Sequence, residues 1–249
     1  ELCIAAGVSI PVGKDSLSMR TRWRDGETDK EVSAPVSLIV TAYAPVADVR
    51  RALTPQLRSD PDTVLILVDL GEGRQRMGGS ALAQVTQQVG DRVPDLDDPQ
   101  LLVKFVEAIG RLERDGLLLA YHDRSDGGLF ATACEMAFAG RCGVALNVDM
   151  LAIDPHAADW GDYKIRPEQV SVQREELTLR ALFNEELGAL VQVRAADRDR
   201  VAKRLAVAEH VIEAALAVTH DDRAGSVILL EGHGLPRDRA VEHAEEQAA

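Results

Sequence analysis

The sequence predicts an α+β fold, one sheet covered by helices, and three observations carry that reading. Short apolar runs such as Val64-Leu65-Ile66-Leu67-Val68 have the length of buried strands. Other segments have helical spacing: over residues 98–115, Leu101, Phe105, Ile109 and Leu112 recur at 3.6-type intervals. The two patterns alternate along most of the chain, which suits a sheet with helices laid on it.

Taken in order, Leu2-Cys3-Ile4-Ala5-Ala6-Gly7 reads as the last turns of a helix closed by a glycine. Residues 24–31 are charged and contain a glycine, as a hairpin tip would. Residues 33–44 read as a strand with Val36, Leu38 and Val40 on one face. Leu53-Thr54-Pro55-Gln56 marks a boundary, because proline restricts itself and its predecessor. It divides a first unit, 1–52, from a second, 53–237, with a polar tail or linker at 238–249.

In the second unit, strands are expected at 63–70, 117–122, 144–148 and 190–193, with the last near 214–218 and 226–230. Helices are expected at 80–89, 98–115, 129–139, 177–184 and 196–208. Residues 154–176 hold Pro155, Trp160, Tyr163 and Pro167 without a clear period and read as a long loop. The start at Glu1 and the polar end both suggest a piece of a longer polypeptide.

Composition narrows the function. A hydrophobic share of 46% over 249 residues can bury one large core or two modest ones. The net charge of −13 argues against nucleic-acid or membrane-surface partners, which call for a basic face. No apolar run approaches the length of a membrane span. Three cysteines, Cys3, Cys134 and Cys142, form no paired framework, which points to a reducing compartment and a cytoplasmic protein.

The chemistry concentrates in Tyr121-His122-Asp123-Arg124-Ser125-Asp126-Gly127-Gly128-Leu129. Two carboxylates, a serine and a diglycine stand where a strand gives way to a helix. A helix start offers unpaired N–H groups that suit phosphate, and Mg²⁺ can bridge phosphate to a carboxylate. The plainer alternative is that Ser125 or Asp126 caps a helix and the glycines make a turn. His122 reads as a core or hydrogen-bonded histidine and Glu135 as a supporting or exposed group. Gly78-Gly79-Ser80 is an anion seat or a simple cap. Asn184, Glu185 and Glu186 stay open between cap and ligand.

A second segment, Pro11-Val12-Gly13-Lys14-Asp15-Ser16-Leu17-Ser18-Met19, invites comparison with a P-loop. The spacing from Gly7 is one residue too long, and Asp15 follows the lysine where Ser or Thr is needed. After Gly13 the backbone can approach a phosphate closely. Lys14 would then supply a point charge, and Asp15 a metal ligand or acceptor. The alternative is a surface Lys14–Asp15 pair.

Together these segments resemble the synthetase part of the phosphoribosylformylglycinamidine synthase family. So do Leu53-Thr54-Pro55-Gln56-Leu57, Gly78-Gly79-Ser80-Ala81-Leu82-Ala83-Gln84, Glu135-Met136-Ala137-Phe138-Ala139-Gly140 and Phe183-Asn184-Glu185-Glu186-Leu187-Gly188, in the family's order. The resemblance runs over about residues 1–230. It implies the end of an aminoimidazole-ribonucleotide (AIR) synthetase-like N-terminal subdomain, followed by a C-terminal α/β sandwich subdomain. It further implies an ATP-dependent ligase of purine biosynthesis that turns formylglycinamide ribonucleotide into the amidine with ammonia from glutamine. The cofactors implied are Mg²⁺ and ATP or ADP, with Asp123 on the metal and Ser125, Gly13, Lys14 and Asp15 on nucleotide. Asp123 and Ser125 would serve the family's auxiliary ADP–Mg²⁺ site. Lys14 and Asp15 stay open between that site and the working one.

The implied partners are nucleotide, the phosphoribosyl substrate, and the remaining synthetase and glutaminase domains. No catalytic residue is assigned within these residues. Two rivals are a stand-alone relative resembling selenophosphate or thiamine-phosphate kinases, and a structural module that docks subdomains without binding nucleotide.

Overall fold

Arg20–Asp25 (β1) and Thr28–Ser33 (β2) form an antiparallel hairpin around Gly26, whose φ of +62° suits the tight turn. Its strands are charged and exposed, so cross-strand pairing supports them: Arg22 stands opposite Glu31, with Nε 2.5 Å from Oε2. Upstream, Leu2–Ala5 (α1) ends at Gly7, where the Val8 amide donates back to the Cys3 carbonyl at 2.8 Å.

The molecule is described by a computed structural model over residues 2–14, 19–33, 38–90, 92–146, 148, 151–152, 167–205 and 212–219. It divides into two units, 1–52 and 53–249. In the first, the strand expected at 33–44 is not seen among its described residues: Ser33 ends β2 and 38–44 are irregular, while 34–37, with Val36, lie outside the described residues. Leu38, Ile39, Val40 and Tyr43 are exposed. A strand needs a neighbour for its N–H and C=O groups. The described strands of this unit, β1 and β2, are paired with each other.

The second unit is built on a five-stranded antiparallel sheet of Thr63–Asp69 (β3), Leu118–Asp123 (β4), Gly143–Val144 (β5), Gly188–Arg194 (β6) and Ile212–Thr219 (β7). The strand order is β4-β6-β3-β7-β5, with β3 at the centre. Pleating sends alternate β3 residues to opposite faces. Ile66 and Val68 join Ala189, Val191 and Val193 of β6 under Pro99–Arg114 and Arg198–Leu205. Leu65 and Leu67 join Leu190 and Ala120 under Gly128–Gly140.

Of the helices, Ala81–Val85 is α2, Pro99–Arg114 α3, Gly128–Gly140 α4, Pro167–Phe183 α5 and Arg198–Leu205 α6. Asp98 caps α3 by accepting the Gln100 amide, with proline at the first position, where no N–H is needed. Its inward residues, Leu101, Phe105 and Leu112, are those of the sequence pattern. None of the helices in the described residues is long and apolar enough to cross a membrane.

Three expectations change in this unit. The loop expected at 154–176 is helical from Pro167 onward, since α5 covers residues 167–183. Strong helix formers (Glu, Gln, Arg, Leu) support it, with Arg180 reaching Glu176 one turn back, so propensity replaces periodicity. The helix expected at 80–89 stops at Val85, because the chain turns back at Gln87 (φ +58°) to let Val89 accept the Gly79 amide. Of the strand expected at 144–148, the described residues show only Val144 in a strand, the two-residue β5; Ala145, Leu146 and Val148 follow it and pack against the core beneath α4. Residues 153–166, 206–211 and 220–249 lie outside the described residues, and with them Trp160, Tyr163, the expected 226–230 strand and the 238–249 tail.

Candidate functional site

Burial fades along the edge strand β4, from buried Leu118, Leu119 and Ala120, through half-buried Tyr121 and His122, to exposed Asp123. Alternation then sorts the polar side chains. His122 points toward α4, where its Nε2 lies 2.6 Å from Oε2 of Glu135. This partner was not visible in the sequence, and it gives Glu135 a role: 13 residues away along the chain, it is one layer away in space. Tyr121 packs against the opposite core, and its hydroxyl donates to Oδ1 of Asp123 at 2.5 Å. Burial, and then the bond to Asp123, pushes the Tyr121 phenol well above the ordinary tyrosine range.

Directly after the strand, Arg124 turns inward and is buried. Its amide donates to the Gly188 carbonyl (2.9 Å), its Nε to the Glu186 carbonyl (2.5 Å) and its Nη2 to the Leu187 carbonyl (3.0 Å). Nη2 also pairs with the Asp69 carboxylate at the end of β3. Asp69 in turn accepts the amides of Gly71 and Gly73. One arginine thus fastens the loop to the ends of two strands. Sequence reasoning passed over Arg124, and nothing in its neighbours' pattern marks it as buried.

Ser125 and Asp126 follow, both exposed. Gly127 (φ +83°) and Gly128 (φ +66°) then swing the chain into α4. A Cβ at Gly128 would lie 2.5 Å from the Asn184 carbonyl oxygen, so this position takes only glycine on both backbone and space grounds.

The expectation that Asp126 caps the helix is not met. The capping position is Gly127, which has no side chain to offer. The acceptor comes from a distance instead: Oε1 of Glu185 takes the Gly127 amide at 2.8 Å and the Ala81 amide at 2.8 Å. The Gly128 amide is also spent, on the Ser125 carbonyl.

At the diglycine start of α4 the Gly127 amide is therefore taken by the chain's own carboxylate. At Gly78-Gly79-Ser80 the amides go to Arg92, Val89 and Met77, and the Ser80 hydroxyl accepts the Ala83 amide at 3.2 Å. That segment is a cap.

Glu186 is neither cap nor ligand; it is buried against Arg76. Among the described residues no group of three or more His, Cys, Asp or Glu stands close enough together to hold a metal ion. Gly13 and Lys14 lie in the first unit; Lys14 is exposed, and a Cβ at Gly13 would meet nothing within 4 Å. Asp15 lies outside the described residues.

The family model for the AIR synthase related protein, C-terminal domain, matches residues 60–228, more than half of the 249-residue chain. The chain belongs to this family. The model for the FGAR-AT PurM_N-like domain matches residues 1–45 of this AIR synthase related chain.

Among solved structures, PurL of T. maritima complexed with FGAR is similar at 14% identity, over 87% of this chain and 31% of that one, with a TM-score of 0.49. T. maritima PurL complexed with ATP is similar at 12% identity over 73% and 26%, with a TM-score of 0.47. Thiamine-monophosphate kinase from Stenotrophomonas maltophilia K279a is similar at 18% identity over 68% and 49%, with a TM-score of 0.39. The chain thus spans between a quarter and a third of the PurL chains.

Proposed function

We propose that this AIR synthase related chain contributes a nucleotide–Mg²⁺ site to an ATP-dependent ligase of purine biosynthesis. That ligase converts formylglycinamide ribonucleotide, ATP and glutamine to the amidine, ADP, phosphate and glutamate. The observation that carries the reading is the loop after β4: Asp123 and Ser125 stand exposed while Arg124 between them is locked inward. Rigid backbone behind two outward polar side chains is the arrangement that holds a ligand with little ordering cost. The match of both family models, in chain order, supports it.

In this reading Asp123 is the metal ligand and Ser125 a nucleotide contact; Gly13, Lys14 and Asp15 are nucleotide contacts of the first unit, open between this site and the working one. The donor set fits Mg²⁺ in one way. Mg²⁺ is commonly held by one or two carboxylates together with substrate phosphates and its own waters. A single exposed Asp123 suits metal that arrives with nucleotide. Bound there, Mg²⁺ would neutralise phosphate charge; the chain's part is to present Asp123 and the Ser125 hydroxyl. Glu185 already takes the Gly127 amide, so that amide would not be the one to meet a phosphate.

A structural module that docks subdomains is the second reading. It is favoured by the Tyr121 hydroxyl already engaging Asp123 and by the absence, among the described residues, of any group of three or more His, Cys, Asp or Glu fit to hold a metal. Calorimetric titration of ADP–Mg²⁺ into the chain and into Asp123→Ala separates the two. Binding that the substitution abolishes supports the site, whereas no binding to the unsubstituted chain supports the module.

A further inference from the structure

The segment 184–188 meets the loop after β4 at Arg124, Gly127 and Gly128. Carbonyls of Glu186, Leu187 and Gly188 accept from Arg124, and the Asn184 carbonyl lies against Gly128. Its one side-chain contribution is Glu185, whose single oxygen accepts two amides from segments far apart in sequence: Gly127 in the loop, and Ala81 at the start of α2. A carboxylate accepting backbone N–H groups makes stronger bonds than a neutral acceptor would.

We propose that Glu185 is the positioning residue of the nucleotide loop, and that its Oε1 couples that loop to the 78–81 turn so that the two order and open together. The part that concerns nucleotide rests on the function proposed above. Glu185 touches no ligand in this arrangement. It fixes the Gly127 peptide, and through it the placing of the Ser125 hydroxyl two residues earlier. It also keeps a phosphate off the amide that it occupies, since like charges repel at that distance.

The test combines amide hydrogen exchange at Gly127 and Ala81 with ADP–Mg²⁺ calorimetry on the unsubstituted chain, Glu185→Ala and Glu185→Gln, with thermal melting to register folding. Losing a charge-assisted bond in Glu185→Ala should speed exchange about tenfold at both amides together and weaken ADP–Mg²⁺ by about the same factor. Glu185→Gln keeps an oxygen in place and should restore both within about threefold, a rescue that general destabilisation would not give.

Should Glu185→Ala fail to fold, Glu185→Asp serves: one methylene shorter, it should leave at least one of the two amides unprotected. Unchanged exchange at either amide in Glu185→Ala, both amides still protected in Glu185→Asp, or ADP–Mg²⁺ affinity equal to the unsubstituted chain, would each overturn the proposal. If the unsubstituted chain binds no ADP–Mg²⁺, the nucleotide reading fails, and the exchange data alone decide the role of Glu185.

Discussion

Arg76 Nε donates to Glu186 Oε1 at 2.6 Å, with the Glu186 side chain only 1% exposed. Arg76 Nη2 reaches Oε2 at 2.8 Å, and the Arg76 amide adds a third bond to Oε1 at 2.9 Å. The bond to Glu186 raises the Arg76 guanidinium above its usual range, so the cation persists at any working pH.

Breaking this pair from one side leaves a buried guanidinium to the Asp95 carbonyl and the exposed Asp97 carboxylate. Glu186→Ala should lower the unfolding free energy by about 3–5 kcal/mol. The measurement is urea unfolding, with the midpoint falling and the slope unchanged. A loss well under 1 kcal/mol would mean that solvent reaches Arg76.

Two glycines should respond differently to alanine. Gly128 has φ +66° and a carbonyl 2.5 Å from where Cβ would go. Gly143 has open space around it and an ordinary φ. Gly128→Ala is expected to cost more than about 1 kcal/mol, and Gly143→Ala to stay within about 0.5 kcal/mol, by thermal or urea unfolding.

Tyr121 should keep its proton at a pH where a free phenol has lost it, since burial and Asp123 both disfavour the phenolate. For a group whose folded pKa is raised, the stabilisation is complete below the unfolded value, near 10, and fades as pH rises above it. Ultraviolet titration against Tyr121→Phe isolates this phenol. Asp123→Ala should move its titration down only part of the way, because burial is the larger cause.

Ser125→Ala removes one hydroxyl from an exposed loop position. Melting should hold steady while ADP–Mg²⁺ binding weakens about three- to tenfold, the scale of one hydrogen bond. Unaltered affinity would remove Ser125 from the nucleotide contacts.

Much of the sheet was legible because β3, β4 and β6 are short apolar runs, and α3 because Leu101, Phe105 and Leu112 repeat at its period. Residues 38–44 misled for a related reason: alternation shows that a segment could be a strand, but not that it has a neighbour. Helix α5 was partly missed because its early turns carry helix-forming residues without a sharp apolar stripe.

At the site, the position of Asp123 and Ser125 at a strand end could be read directly. The inward turn of Arg124 and the reach of Glu185 could not. Both depend on groups some sixty residues away in sequence, and no local pattern encodes such a meeting.

The central strand has a consequence for how the chain is made. β3 pairs on both sides with β6 and β7, which are synthesised more than a hundred residues later. Until they emerge, Val64-Leu65-Ile66-Leu67-Val68 has both edges bare, a short apolar segment of high β-propensity without a charge. Closing loops of that length also slows folding. Nascent chains halted anywhere before residue 188 should therefore be the ones that aggregate or recruit chaperones, and a charge placed within that run should relieve the hazard only by sacrificing the sheet.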